Sequence, residues 1–213
     1  MRKALIGILC SFTPFSALAD SIVVAALGDS LTQGYGLAAE DGLVPQLQSW
    51  ADAQGLDVEL INAGVSGDTT AGGLARVDWT LSPNVDAMIV TLGGNDLLRG
   101  IEPSVSRENL TGIMTAAQAA DIEVLLIGMK APGNFGPAYK AEFDVIYPDL
   151  AAEYDAVHMD NFFAGFGDAI DDPESRRALM QGDGIHPNPN GVQLLVQEIG
   201  PKLTELVDRV TKP

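Results

Sequence analysis

Residues 23–36 read VVAALGDSLTQGYG, and the change of character partway along this stretch decides the fold. Five apolar residues run without interruption to Gly28. A strand apolar on both faces belongs in a sheet covered on both sides, which is the habit of parallel sheets. Asp29 and Ser30 follow at once, so the chain leaves a buried strand and sets a hydroxyl at its exit.

Similar apolar runs recur at 57–62 (DVELIN), 86–92 (DAMIVTL) and 122–128 (IEVLLIG), with a shorter fifth at 156–160 (AVHMD). Between them, residues 42–54, 69–81, 104–120 and 137–154 carry helical spacing. The chain closes on a stripe of Val192, Leu195, Val196, Ile199, Leu203, Leu206 and Val207, which predicts a long amphipathic helix, bent at Gly200-Pro201. Alternating strands and helices predict an α/β fold with a parallel sheet between two helical layers. Residues 161–182, rich in Gly and Asp, read as a long irregular connection. Their GDAIDDPE segment reads as a solvated loop, since the ligand spacing of an EF-hand is absent.

The first nineteen residues read differently. A basic MRK start, an apolar ALIGILC stretch and Ala17-Leu18-Ala19 form a signal peptide with cleavage expected after Ala19. Bulky Leu9 before Cys10 argues against lipidation, and the apolar part is too short to span a bilayer. Removing 19 of 213 residues leaves 194, the size of a single domain over 20–213. Cleavage takes away the only cysteine, so thiol chemistry and disulfides are not expected. It also removes Arg2 and Lys3, moving the net charge from −17 to −19. Such acidity excludes nucleic acid and anionic membrane surfaces as natural partners. With two histidines, His158 and His186, no metal or other cofactor is expected. The mature protein is expected to be a periplasmic or secreted monomer without a membrane anchor.

In parallel α/β sheets, ligands gather beyond the carboxyl ends of the strands. Ser30 follows the first strand, Gly64 lies in NAGVSGDTT after the second, and Asn95 in GGND after the third. Asp183 and His186 stand three apart in DGIHP, just before the last helix. Taken singly, these are ordinary turns and caps. Together they supply a hydroxyl, a bare backbone amide, a carboxamide and an acid–imidazole pair, the parts of acyl transfer. Leu97, Leu98, Ile101 and Phe135 fall near the same edge and suit an acyl chain, while Lys130, Arg99 and Lys140 offer a basic entrance.

The four blocks GDSL, NAGVSGDTT, GGND and DGIHP resemble those of the SGNH (GDSL) hydrolases. LLRG, GNFGPAY and IYPDLAAEYD extend the likeness to the bacterial periplasmic group of multifunctional thioesterase I, lysophospholipase and arylesterase. The resemblance implies a flavodoxin-like three-layer α/β/α sandwich with five parallel strands in the order 2-1-3-4-5. It implies Ser30 as nucleophile, His186 as base and Asp183 as its partner. The oxyanion hole would comprise the Ser30 and Gly64 amides and the Asn95 side chain. Substrates would be small-molecule acyl esters: aryl esters, lysophospholipids and acyl thioesters. The absence of a second glycine in Gly28-Asp29-Ser30-Leu31-Thr32 separates the arrangement from the G-x-S-x-G elbow. Two other readings stay open on the residues alone: a deacetylase of acetylated carbohydrate or peptidoglycan, and a non-catalytic flavodoxin-like binder.

Overall fold

The computed structural model describes residues 21–81, 84–170 and 172–211; the leader expected at 1–19, with Cys10 and Ala19, lies outside them. Strands β1 (Ile22–Gly28), β2 (Val58–Gly64), β3 (Ala87–Thr91), β4 (Glu123–Ile127) and β5 (Val157–Met159) form one sheet. Its order is 2-1-3-4-5, and all four pairings are parallel. The helices are α1 (Ser30–Gln33), α2 (Leu43–Gln54), α3 (Thr70–Thr80), α4 (Gly94–Arg99) and α5 (Pro103–Ala119). They continue with α6 (Pro137–Asp144), α7 (Ile146–Glu153), α8 (Pro173–Leu179) and α9 (Pro189–Thr211).

Helices α2 and α9 pack together on one face, and α3, α5 and α7 on the other. β1, β3 and β4 are accordingly buried on both faces, with Val24, Leu27, Met88, Val90, Leu125 and Ile127 in the core. β2 is an edge strand, and edge strands expose unpaired backbone groups. Gln48 of α2 answers this: its Oε1 accepts from Leu60 N–H (2.8 Å) and its Nε2 donates to the Val58 carbonyl (3.0 Å). Register sets Gly28 level with Gly64 and Thr91, so the segments leaving β1, β2 and β3 emerge side by side.

Two regions differ from expectation. Residues 137–154 form two helices rather than one, with Val145 between them. Pro148 has no N–H for the carbonyl of Asp144, where α6 ends. Residues 161–182 are less irregular than expected: 3₁₀ turns lie within Phe162–Ile170, broken by a kink at Gly167 (φ 49°), and α8 follows. Phe162 and Phe166 are buried against the core, and an added Cβ at Gly165 would lie 2.5 Å from the Leu194 carbonyl oxygen of α9. This close approach explains a glycine inside an aromatic segment. α9 is continuous through Pro201.

Candidate active site

Asp29 begins the site. Its Oδ1 accepts from Leu31 N–H at 2.9 Å, capping α1 and holding Ser30 at the first helical position above β1. The helix lasts four residues because Gly34 takes the left-handed conformation (φ 88°) and returns its N–H to the Ser30 carbonyl. That turn brings Tyr35 back against His186, ring centroids 4.8 Å apart.

His186 reaches Ser30 from the other end of the chain. Its Nε2 lies 2.8 Å from Ser30 Oγ and its Nδ1 2.6 Å from Asp183 Oδ2. An ionised carboxylate only accepts, so Asp183 fixes the proton on Nδ1 and leaves Nε2 free to accept from the serine hydroxyl. Partial desolvation pushes the Asp183 carboxyl up, but hydrogen bonds from the His186 ring, the His186 N–H and the Ile185 N–H outweigh it, leaving the pKa at about 2. Gln181 fastens this loop to the Tyr35 turn: its side chain donates to the carbonyls of Tyr35 (2.8 Å) and Pro187 (2.9 Å). Neither Tyr35 nor Gln181 was singled out by sequence reasoning, although Tyr35 sits two residues beyond the α1 helix in the opening stretch.

Asn95 stands on the first turn of α4, its Nδ2 donating to Asp29 Oδ2 at 3.1 Å. The neighbouring Asp96 does another task. It is fully buried and accepts from Thr70 N–H (2.9 Å), Thr70 Oγ1 (2.5 Å) and Ser106 Oγ (2.9 Å), anchoring α4 to α3 and α5. Arg76 bridges the strand ends below the site, donating to the carbonyls of Gly28 (2.8 Å) and Ala63 (2.7 Å) and pairing with Asp68 (2.7 Å).

Gly64 does not fit the role expected of it. Its N–H donates to Asn62 Oδ1 at 2.9 Å, and a Cβ there would fall 2.3 Å from the Gln33 backbone nitrogen. The need for glycine is close packing against α1, not access for a substrate oxygen. The next glycine of the loop, Gly67 (φ 86°), has no hydrogen-bond acceptor for its N–H among the described residues. Its loop is tied to both sides of the site, Ser66 Oγ donating to Gln33 (2.8 Å) and Arg99 to the Gly67 carbonyl (2.7 Å).

A cleft of about 420 Å³ opens beside Ser30 and Asn95, lined by Leu31, Leu97, Leu98, Met129, Pro132, Phe135, Phe163, Met180 and Ile185 among others. Leu98 and Phe135 are 61% and 41% exposed, ready-made apolar surface. Ile101 is absent from this lining, because Gly100 ends α4 and turns the chain away, tying Ile101 N–H back to the Asp96 carbonyl. Of the basic residues expected at the entrance, only Lys130 lines the cleft, and it pairs with Asp160 (2.7 Å). Arg99 is engaged with Gly67, and Lys140 with Asp144 (2.7 Å). Arg176 of α8 lines the cleft instead. Phe163, Arg176 and Met180 all come from the 161–182 segment, which the sequence reads as an irregular connection.

The chain matches the GDSL-like Lipase/Acylhydrolase family over residues 26–194. It belongs to that family. It is 34% identical over 208 residues to Esterase TesA of Pseudomonas aeruginosa, covering 97% of this chain and 100% of the relative. Over 194 residues it is 34% identical to Thioesterase 1/protease 1/lysophospholipase L1 of Escherichia coli, covering 91% and 88%. Among solved structures, a crystal structure of TesA shares 34% identity with a TM-score of 0.78, covering 86% of this chain and 99% of that one. AlinE4, an SGNH-hydrolase family esterase, shares 41% identity with a TM-score of 0.72, covering 89% and 98%. This GDSL-family chain is an ester-bond hydrolase, and its sheet order and helical layers are those the resemblance implied.

Proposed function

We propose that the chain is an exported serine esterase and thioesterase that cleaves acyl esters by a Ser30–His186–Asp183 relay. Ser30 Oγ attacks the acyl carbon as His186 Nε2 takes its proton, and Asp183 stabilises the resulting imidazolium. The carbonyl oxygen, now an oxyanion, accepts from Asn95 Nδ2 and the Ser30 N–H, with the Gly67 amide taking the place expected of Gly64. Collapse expels the alcohol or thiol, which receives the proton from His186. Water, deprotonated by the same imidazole, then releases the acyl group from Ser30 and restores the hydroxyl.

The observation that carries this reading is the 2.8 Å and 2.6 Å pair of contacts through His186, opening onto an apolar cleft. A binder without catalysis has no need for such a relay. The apolar lining favours fatty acyl chains over acetylated carbohydrate. Residues 1–19 act as the leader, and residues 20–213 as a single monomeric domain in the periplasm or medium.

A chain-length series of aryl esters, run beside acyl-CoAs and lysophospholipids on the mature protein, tests the substrate class. Turnover that rises from acetyl to medium acyl chains is expected. Activity confined to acetylated sugars would overturn the assignment.

A further inference from the structure

Asp29 lies immediately before the nucleophile, is 2% exposed, and has no step in the relay just described. A carboxamide has a donating and an accepting end of nearly equal size. An oxyanion is stabilised only by the donating one, and a carboxamide turned by 180° would present an oxygen to it. Something must therefore choose the end that Asn95 shows to the cleft.

We propose that Asp29 is a positioning residue that fixes the orientation of the Asn95 carboxamide. One carboxylate oxygen, Oδ1, is held by Leu31 N–H (2.9 Å), which leaves Oδ2 aimed at Asn95 (3.1 Å). As an acceptor without a proton, that oxygen admits only the Nδ2 end. Nδ2 carries two hydrogens, so the second remains for the acyl oxygen. Gly94 keeps the approach narrow, since a Cβ there would lie 3.2 Å from Asp29 Oδ2. The same carboxylate thus sets both the nucleophile's helix and the oxyanion donor, tying two strand exits together. This inference rests on the ester-hydrolase reading and adds a residue to it.

The test is a double-mutant cycle on a neutral aryl ester, with kcat and KM measured for wild type, Asp29→Asn, Asn95→Ala and the double variant. Asp29→Asn keeps an oxygen for Leu31 but turns an NH₂ toward Asn95, which must then swing its own oxygen round. A kcat loss on the order of 10²-fold with KM changed less than about threefold is expected. In the Asn95→Ala background the same substitution is expected to change kcat by less than about twofold, because the residue it acts through is gone. An equal loss in both backgrounds, or an unchanged kcat in the wild-type background, overturns the proposal. Asp29→Ser retains a capping oxygen too short to reach Asn95. It replaces Asp29→Asn if that variant does not fold, under the same criteria. Ser30→Ala runs alongside: turnover that survives it defeats the ester-hydrolase reading and this inference with it. Additive losses with turnover still dependent on Ser30 defeat this inference alone.

Discussion

Ser30 Oγ and His186 Nε2 stand 2.8 Å apart across 156 positions of sequence. β1 delivers the first and the loop before α9 the second. The contact exists only because α9 packs back over the sheet, fastened by the 3₁₀ segment at Phe162 and Phe166. The Ser30–His186 geometry is therefore a property of the closed fold.

Replacing the hydroxyl separates chemistry from stability. Ser30→Ala is expected to reduce hydrolysis to near background while shifting the thermal midpoint little, since the side chain is only partly buried at a strand exit. Residual activity at a tenth of wild type or more would remove Ser30 from its role.

The oxyanion donor proposed at Asn95 has a kinetic signature. Asn95→Ala is expected to lower kcat by roughly 10²–10³ with a much smaller effect on KM, because the contact strengthens as charge develops. A defect confined to KM would assign Asn95 to ground-state binding.

Gly64 is expected to behave as a packing residue. Gly64→Ala places a methyl 2.3 Å from main-chain nitrogen that cannot swing aside. A loss of about 1–3 kcal/mol is expected, lowering the thermal midpoint by roughly 3–10 °C. A variant of wild-type stability would contradict the close contact with α1.

Burial pushes the Asp29 carboxyl up to about 6 from 3.8, against the lowering effect of its bonds to Leu31 and Asn95. The folded state therefore holds this proton more tightly than the unfolded chain does. Stability falls as pH climbs from the unfolded value through about 6, and this contribution is level above that. Asp29→Asn lacks that titration. Between pH 4 and pH 7 the unfolding free energy of wild type relative to Asp29→Asn is expected to drop by about 2 kcal/mol, measured by urea denaturation. A constant difference across that range would show that Asp29 is not held in a desolvated position.

The architecture was legible because burial leaves a strong mark: VAAL (24–27), AMIV (87–90) and VLLI (124–127) are apolar without alternation, and the structure buries them on both faces. Ser30 and Asn95 could be picked out as polar groups just after strands, and Asp183 and His186 as an acid–imidazole pair before the last helix; the structure brings Ser30, His186 and Asp183 into contact. What the sequence hid was competition for single groups. Nothing in NAGVSGDTT says that the Asn62 side chain claims the Gly64 amide, for that depends on the conformation of the loop. The 161–182 segment misled through its Gly and Asp content, although Phe162, Phe163 and Phe166 carried the spacing of a docked helical turn. Asp29 and Gln181 were invisible because their importance lies in what they hold, across 66 and 146 positions of chain.

The most direct measurement of the Ser30–His186–Asp183 relay is mass spectrometry of the mature protein after treatment with an activated aryl phosphonate, which traps a nucleophilic serine as a stable tetrahedral adduct. One phosphonyl group per chain, mapped to the peptide containing Ser30, is expected. The adduct should be absent from Ser30→Ala and should form far more slowly in His186→Ala. Labelling at another residue, or labelling of Ser30 at an unchanged rate without His186, would contradict the relay.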